Sequence, residues 1–281
     1  MWQMLLYQKY QSCRGTRLGG ESFMKKALGL LGATLLIASP AVAADLGSRP
    51  VYGAPAPVFT WTGCYIGGFA GGASGAGVNA TELFNPLNGS YNNTGTPYRY
   101  ETDASAIAGG TIGCNWQPGG TRWVLGVEGE AGYLHSKASV VDPNSVAVAG
   151  SDTVDQTKIG DWYAVVAGRL GYAVGPWLVY AKGGAAFTKV SSSVIDTCST
   201  APCGLLTINA TGSSSPVSAA AGGGLEYALT DHWTVKGEYL WLGINPSISV
   251  CGVASNAANY CSGHSVGNGM STGKLGVNYK F

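Results

Sequence analysis

The sequence predicts an all-β protein, a closed eight-stranded antiparallel transmembrane β-barrel. Three observations predict it. The final stretch alternates without a slip, with Leu275, Val277, Tyr279 and Phe281 on one face and Lys274, Gly276, Asn278 and Lys280 on the other; a two-residue period is that of a strand. Segments of this kind recur along the chain, and the connections between them alternate between short and long. An export signal precedes them all. In a soluble barrel the charged faces would look outward. In a membrane barrel the sense is reversed, with apolar side chains toward lipid and polar ones toward the lumen.

Composition supports the β reading. The chain has 281 residues with 44 glycines and 11% charged residues. Glycine at this level without a G-X-Y period suits a tightly packed β protein rather than collagen. A formal net charge of +1 leaves no electrostatic footprint for nucleic acid, which is excluded as a partner.

Residues 24–43 read as a secretory signal peptide. Lys25-Lys26 is the basic region, Ala27 to Ala38 the apolar stretch, and Pro40-Ala41-Val42-Ala43 the small-residue cleavage pattern, too short to span a membrane as a helix. Cleavage is expected after Ala43 or Ala44. Residues 1–23 read as an upstream extension, which leaves both Met1 and Met24 open as the start of translation. The removed segment holds five bases against Glu21, which leaves 11 basic and 14 acidic residues, net −3. Residues 44–60 follow as a periplasmic Pro-rich linker with Pro50, Pro55 and Pro57. At roughly 3 Å per residue it reaches about 50 Å.

The eight strands are expected at Trp61–Ser74, Ser105–Gln117, Arg122–His135, Asp161–Val174, Trp177–Val190, Val217–Leu229, Trp233–Leu242 and Met270–Phe281. Short turns lie at Pro118–Thr121, Gly175-Pro176 and Thr230–His232. The long connections Gly75–Ala104, Ser136–Gly160, Ser191–Pro216 and Gly243–Gly269 are rich in Ser, Thr, Asn and Gly and read as surface loops. Short turns on one rim and long loops on the other is the outer-membrane layout, with both chain ends on the periplasmic side.

The faces agree with the membrane sense. Leu125, Val127, Val166, Leu170, Val179, Leu225 and Val235 share one set of faces, and Glu128, Glu130, Arg169, Lys182, Glu226, Lys236, Glu238 and Lys274 share the other. Trp123, Trp162, Trp177 and Trp233 sit at strand ends, as aromatic girdles require. An eight-stranded barrel is filled by side chains, so four acids and four bases within it should pair as a lumen charge network. Glu128 and Glu130 share a face, but with no cleft around them they are not assigned acid–base work.

Six cysteines follow the signal, an even count that reads as disulfides in an exported chain. Antiparallel pairing of the first two strands puts Cys64 and Cys114 at one height. Cys198 with Cys203 and Cys251 with Cys261 are the economical loop staples among the many pairings six cysteines allow; no metal site is expected. Of three histidines, His135 and His264 are expected on the outer rim and His232 on the periplasmic rim. His135-Ser136 and His264-Ser265 invite comparison with Ser/His chemistry at a barrel rim, but spacing places no acid partner, and the chain is not expected to be an enzyme. A loop histidine is ordinarily solvated, so haem ligation by His135 or His264 is the lesser reading.

The signal peptide, the Ala44-Asp45-Leu46 start, the Pro-rich linker, Trp61-Thr62-Gly63-Cys64-Tyr65-Ile66-Gly67-Gly68 and the Lys274–Phe281 terminus resemble the alphaproteobacterial outer-membrane immunogenic proteins, porin-like surface antigens with an outer-membrane β-barrel domain. Gly126-Val127-Glu128-Gly129-Glu130 and Lys236-Gly237-Glu238-Tyr239 look like strands of that family. The resemblance covers residues 24–281. It implies an abundant structural envelope protein and surface antigen in the outer membrane, in contact with outer-membrane lipid, with haem binding among some relatives; no resident cofactor is expected in this chain. Other implied partners are the barrel-assembly machinery, which would read Tyr279 and Phe281, and peptidoglycan, through covalent attachment at Ala44. The alternatives it leaves are a haem or small-ligand uptake protein acting through its loops, and a small porin. Six cysteines depart from the typical member.

Overall fold

The computed structural model describes residues 59–84, 96–143, 153–197, 207–255 and 259–281. The predicted extension, signal peptide, Ala44, the linker up to residue 58, Cys198 and Cys203 lie outside the described residues.

Thirteen antiparallel strands occur among the described residues. Eight are barrel staves: β1 (Gly63–Ala73), β4 (Ser105–Trp116), β5 (Trp123–Val141), β6 (Val154–Val174), β7 (Trp177–Thr197), β9 (Val217–Ala228), β10 (Trp233–Leu242) and β13 (Met270–Lys280). Their order around the barrel is β1-β4-β5-β6-β7-β9-β10-β13, and β13 returns to β1 with Ile66 opposite Tyr279 and Ala70 opposite Leu275. First and last strands are thereby partners, and closure leaves no stave with an unpaired edge. At one rim the hairpins are tight. Between β6 and β7 only Gly175 and Pro176 intervene, with Val174 opposite Trp177. Gly175 has a φ of 57°, a left-handed turn position that glycine occupies without a Cβ clash.

The outer wall is apolar. Leu125, Val127, Val166, Leu170, Val179, Leu225, Leu275 and Val277 are all at least 45% exposed, which for residues of this kind marks a surface made for lipid. At the short-turn rim the wall ends in aromatic pairs: Trp123 with Tyr172, Trp177 with Tyr227, and Trp233 with Tyr279, ring centroids 4.6 to 5.2 Å apart. Tyr133, Trp162 and Tyr239 form the opposite girdle and are about half exposed. Trp123 and Tyr133 are both on β5. A rise of about 3.3 Å per residue and a tilt near 45° put roughly 23 Å between the girdles, against an apolar band of about 25 Å.

Among the described residues the long connections are largely strands rather than loops. They carry β2 (Gly77–Phe84), β3 (Pro97–Glu101), β8 (Thr207–Ser214), β11 (Ser247–Ala254) and β12 (Asn259–Gly267), while β5, β6 and β7 run on past the barrel for 19, 21 and 21 residues in total. These elements build a second tier above the barrel in the order β3-β2-β12-β11-β8-β7-β6-β5. The switch occurs on β7, which pairs with β9 up to Phe187 and with β8 from Val190 onward. Opposite it, β6 bulges between Ile159 and Tyr163, with Gly160 at φ 104°. Added to Gly160, a Cβ would lie 1.7 Å from the Leu134 carbonyl oxygen, so the bulge needs glycine there. Serine and threonine on the outer faces hide an inner row of Val78, Ala80, Val190, Val194, Ile208, Ala210, Ile248, Val250 and Val266, all buried. The strand edges of β3 and β5 approach without a ladder, and the Asp103 amide donates to the Lys137 carbonyl across the seam at 2.9 Å.

Candidate functional site

Inside the barrel, alternation turns every second side chain of each stave inward. Glu128 and Glu130 come from β5, Arg169 from β6, Lys182 from β7, Glu226 from β9, Lys236 and Glu238 from β10 and Lys274 from β13. All eight predicted lumen charges are there, each at most 5% exposed. They form one connected network. Lys182 Nζ lies 2.8 Å from Glu128, 2.7 Å from Glu130 and 2.8 Å from Glu238. Lys274 bridges Glu130 and Glu238 at 2.6 and 2.7 Å. Arg169 joins Glu226 at 2.7 Å and Glu128 at 3.4 Å, and Lys236 reaches Glu128 at 3.0 Å.

Neutral groups missed by the sequence reading complete it. The Tyr65 hydroxyl donates to Glu128 at 2.6 Å and Tyr180 to Glu238 at 2.8 Å. The Arg169 guanidinium stacks 3.8 Å from the Tyr180 ring centroid, a geometry suited to a buried planar cation. Thr234 and Asn278 both donate to Glu226, at 2.6 and 2.8 Å. The carboxylates of Glu128, Glu130 and Glu238 converge as metal ligands would. Their common centre is occupied by the Lys182 ammonium, which supplies the positive charge itself.

Two apolar layers bracket the charges. At the short-turn rim Trp61, which precedes β1 rather than opening it, is 2% exposed and packs with Val124, Ala173, Leu178 and Ala228. Its backbone amide donates to the Gln117 side chain at 3.0 Å. On the other side Phe69, Leu134, Tyr163, Leu240 and Met270 lead into the core of the second tier.

The second tier holds a polar cluster of its own. His264 lies on β12, not in a solvated loop: its side chain is fully buried because pairing with β2 and β11 turns it inward. Its Nε2 is 3.6 Å from Asp155 and its Nδ1 3.4 Å from the Tyr100 hydroxyl. Tyr100 continues to Thr157 at 2.7 Å and Thr157 to Ser192 at 2.8 Å, while Tyr98 donates to Asp155. Burial lifts the Asp155 carboxyl to about 7, with the Tyr98 hydrogen bond opposing and Asp142 adding to the lift. Burial also lowers the His264 imidazole to about 4. In this arrangement haem cannot reach His264.

His135 is the accessible one, with Nδ1 2.8 Å from Asp161. Both histidines therefore have an aspartate that spacing did not reveal. Ser136, next to His135, points inward and is buried, since adjacent strand residues face opposite ways. His232 is on the short-turn rim, where its Nδ1 meets the Lys280 carbonyl at 2.9 Å. Tyr279 and Phe281 stack edge-to-face at 5.4 Å on the outer wall. Cys64 and Cys114 are direct cross-strand partners joined as a disulfide with Cα atoms 3.9 Å apart, and Cys251 and Cys261 are joined likewise at 4.2 Å.

This fold and lining can be set beside known proteins. A family model described as outer membrane protein beta-barrel domain matches residues 31–281. The 31 kDa outer-membrane immunogenic proteins of Brucella melitensis and Brucella suis are each 30% identical over 263 residues, covering 91% of this chain and 100% of theirs. Among solved structures, the outer membrane protein OprG of Pseudomonas aeruginosa aligns at 13% identity and a TM-score of 0.41 over 78% of this chain and 96% of that one. With the match running from residue 31 to the terminal phenylalanine and taking in every stave, the chain belongs to the outer membrane β-barrel domain family and is a protein of the outer membrane.

Proposed function

We propose that the chain is a non-conducting, non-catalytic envelope barrel: a structural component and surface antigen that displays the second tier outside the cell, its lumen closed by its own side chains. One observation carries this reading. The four acids and four bases of the lumen are mutually paired, which balances the charge, and apolar layers lie on both sides. An ion entering would have to break buried pairs whose partners have no water to turn to. Purified protein in a planar bilayer should give no discrete conductance steps. Reproducible unitary steps from the unmodified protein would overturn the closed lumen and make it a small porin.

A further inference from the structure

We infer that the outer face of the second tier, just above the membrane, is a docking site for the phosphate groups of a phosphorylated glycolipid in the surrounding outer leaflet. The site is a groove of about 1000 Å³ on the outward side of β5, β6, β7 and β8. It opens where β7 leaves β9 for β8, so the flare of the second tier makes the outer wall concave there.

Its height is set by the girdle. On β5 the outward positions run Tyr133, His135, Lys137, and the rings of Tyr133 and His135 stack with an interplanar angle of 2°. On β7 they run Phe187, Lys189, Ser191, and Lys189 faces the bulge that holds Trp162. Aromatic side chains mark the lipid boundary, so the bases one step beyond them lie at headgroup level.

The charges ask for an anion. Lys137 and Lys158 are direct cross-strand partners, and like charges placed opposite one another destabilise a ladder. Lys158 is compensated by Asp161 at 2.8 Å, which also takes His135 at 2.8 Å. Lys137 and Lys189 have no ion pair among the described residues, although Asp103 also borders the groove. Ser191, opposite Lys158, and Ser193 beyond it add hydroxyls suited to sugar. Strand spacing puts Lys137 and Ser191 roughly 10 Å apart, a span that suits a phosphate with its attached sugar. A phosphate receiving both free ammonium groups would gain charge-assisted hydrogen bonds and relieve the Lys137–Lys158 repulsion. The inference rests on the orientation of the barrel, not on the closed lumen, so a conducting barrel would leave it standing.

The test uses protein extracted from outer membranes in detergent, titrated with fluorescent diphosphoryl lipid A. Replacing both free lysines, K137Q with K189Q, should weaken binding at least about tenfold, and removing the phosphates from the lipid should do the same to the unmodified protein. R122Q, at the opposite rim, should change nothing. Equal binding by the double variant, or equal binding of the dephosphorylated lipid, would overturn the inference. So would displacement of the lipid by millimolar inorganic phosphate, since the groove would then read a free anion. The phosphate comparison needs no variant, so it stands even if the double variant folds poorly.

Discussion

Replacing Lys182 by methionine should destabilise the barrel by about 3–5 kcal/mol, the range for breaking a buried ion pair by removing one partner. Among the described residues Lys182 is the one base in contact with three lumen carboxylates. Without it Glu128 keeps Arg169 and Lys236, while Glu130 and Glu238 are left to share Lys274. The lumen would then hold four acids against three bases in a space with no solvent to screen the excess. The loss should appear as a lower urea midpoint for the folded form. Adding Glu238→Gln removes one uncompensated charge and should recover part of it, with a coupling between the two sites well above that of distant pairs. Additive effects of the two substitutions would show that the network does not act as a unit.

The second large effect concerns pH and the outer tier. Asp155 is raised to about 7 in the folded protein, so it binds its proton more tightly than in the unfolded chain. Its contribution is fully present below the ordinary carboxylate range near 4 and is lost as pH rises through about 7. His264 is lowered to about 4, and its contribution runs the other way: present above the ordinary imidazole value near 6.5 and lost as pH falls through about 4. Between about pH 4 and 6.5 the two slopes oppose and the unmodified tier should be nearly indifferent to pH. His264→Gln should leave the aspartate alone, so that stability falls by up to about 1.4 kcal/mol per pH unit as pH rises. Asp155→Asn should give the opposite slope. Amide exchange on β12, measured at pH 4.5 and 6.5, reads both directly. The same slope in both variants would show that the two groups do not titrate as their burial requires.

The lumen was legible because its signal is local. A two-residue period assigns Glu128, Arg169, Lys182, Lys236 and Lys274 to one set of faces without knowing which strand meets which. Cys64 and Cys114 were legible for a related reason, since adjacent antiparallel strands fix their heights. The second tier was not. Its strands are short and rich in Ser, Thr and Gly, the residues of turns, and the apolar alternation in Ile248 and Val250 or Val78 and Ala80 is too brief to stand out. Its partners are remote in sequence: β12 pairs with β2, and β8 with β11. The aspartates of His135 and His264 lie on β6, across pairings that no spacing encodes. Tyr65, Tyr180 and Trp61 were missed because an inward aromatic looks the same in sequence as one that faces lipid; inward-facing charged residues on the same strands, such as Lys182 beside Tyr180, were the available clue.

In the closed barrel the charged faces look inward and the apolar faces meet lipid. Gel migration of protein from the outer-membrane fraction, with and without boiling, distinguishes this arrangement from a soluble barrel with its charges outside. A closed barrel resists detergent until heated, so the unboiled protein should run as a distinct, faster species that converts on boiling. Identical migration, together with recovery of the protein in the soluble periplasmic fraction, would contradict it and put Glu128, Lys182 and their partners on the outside.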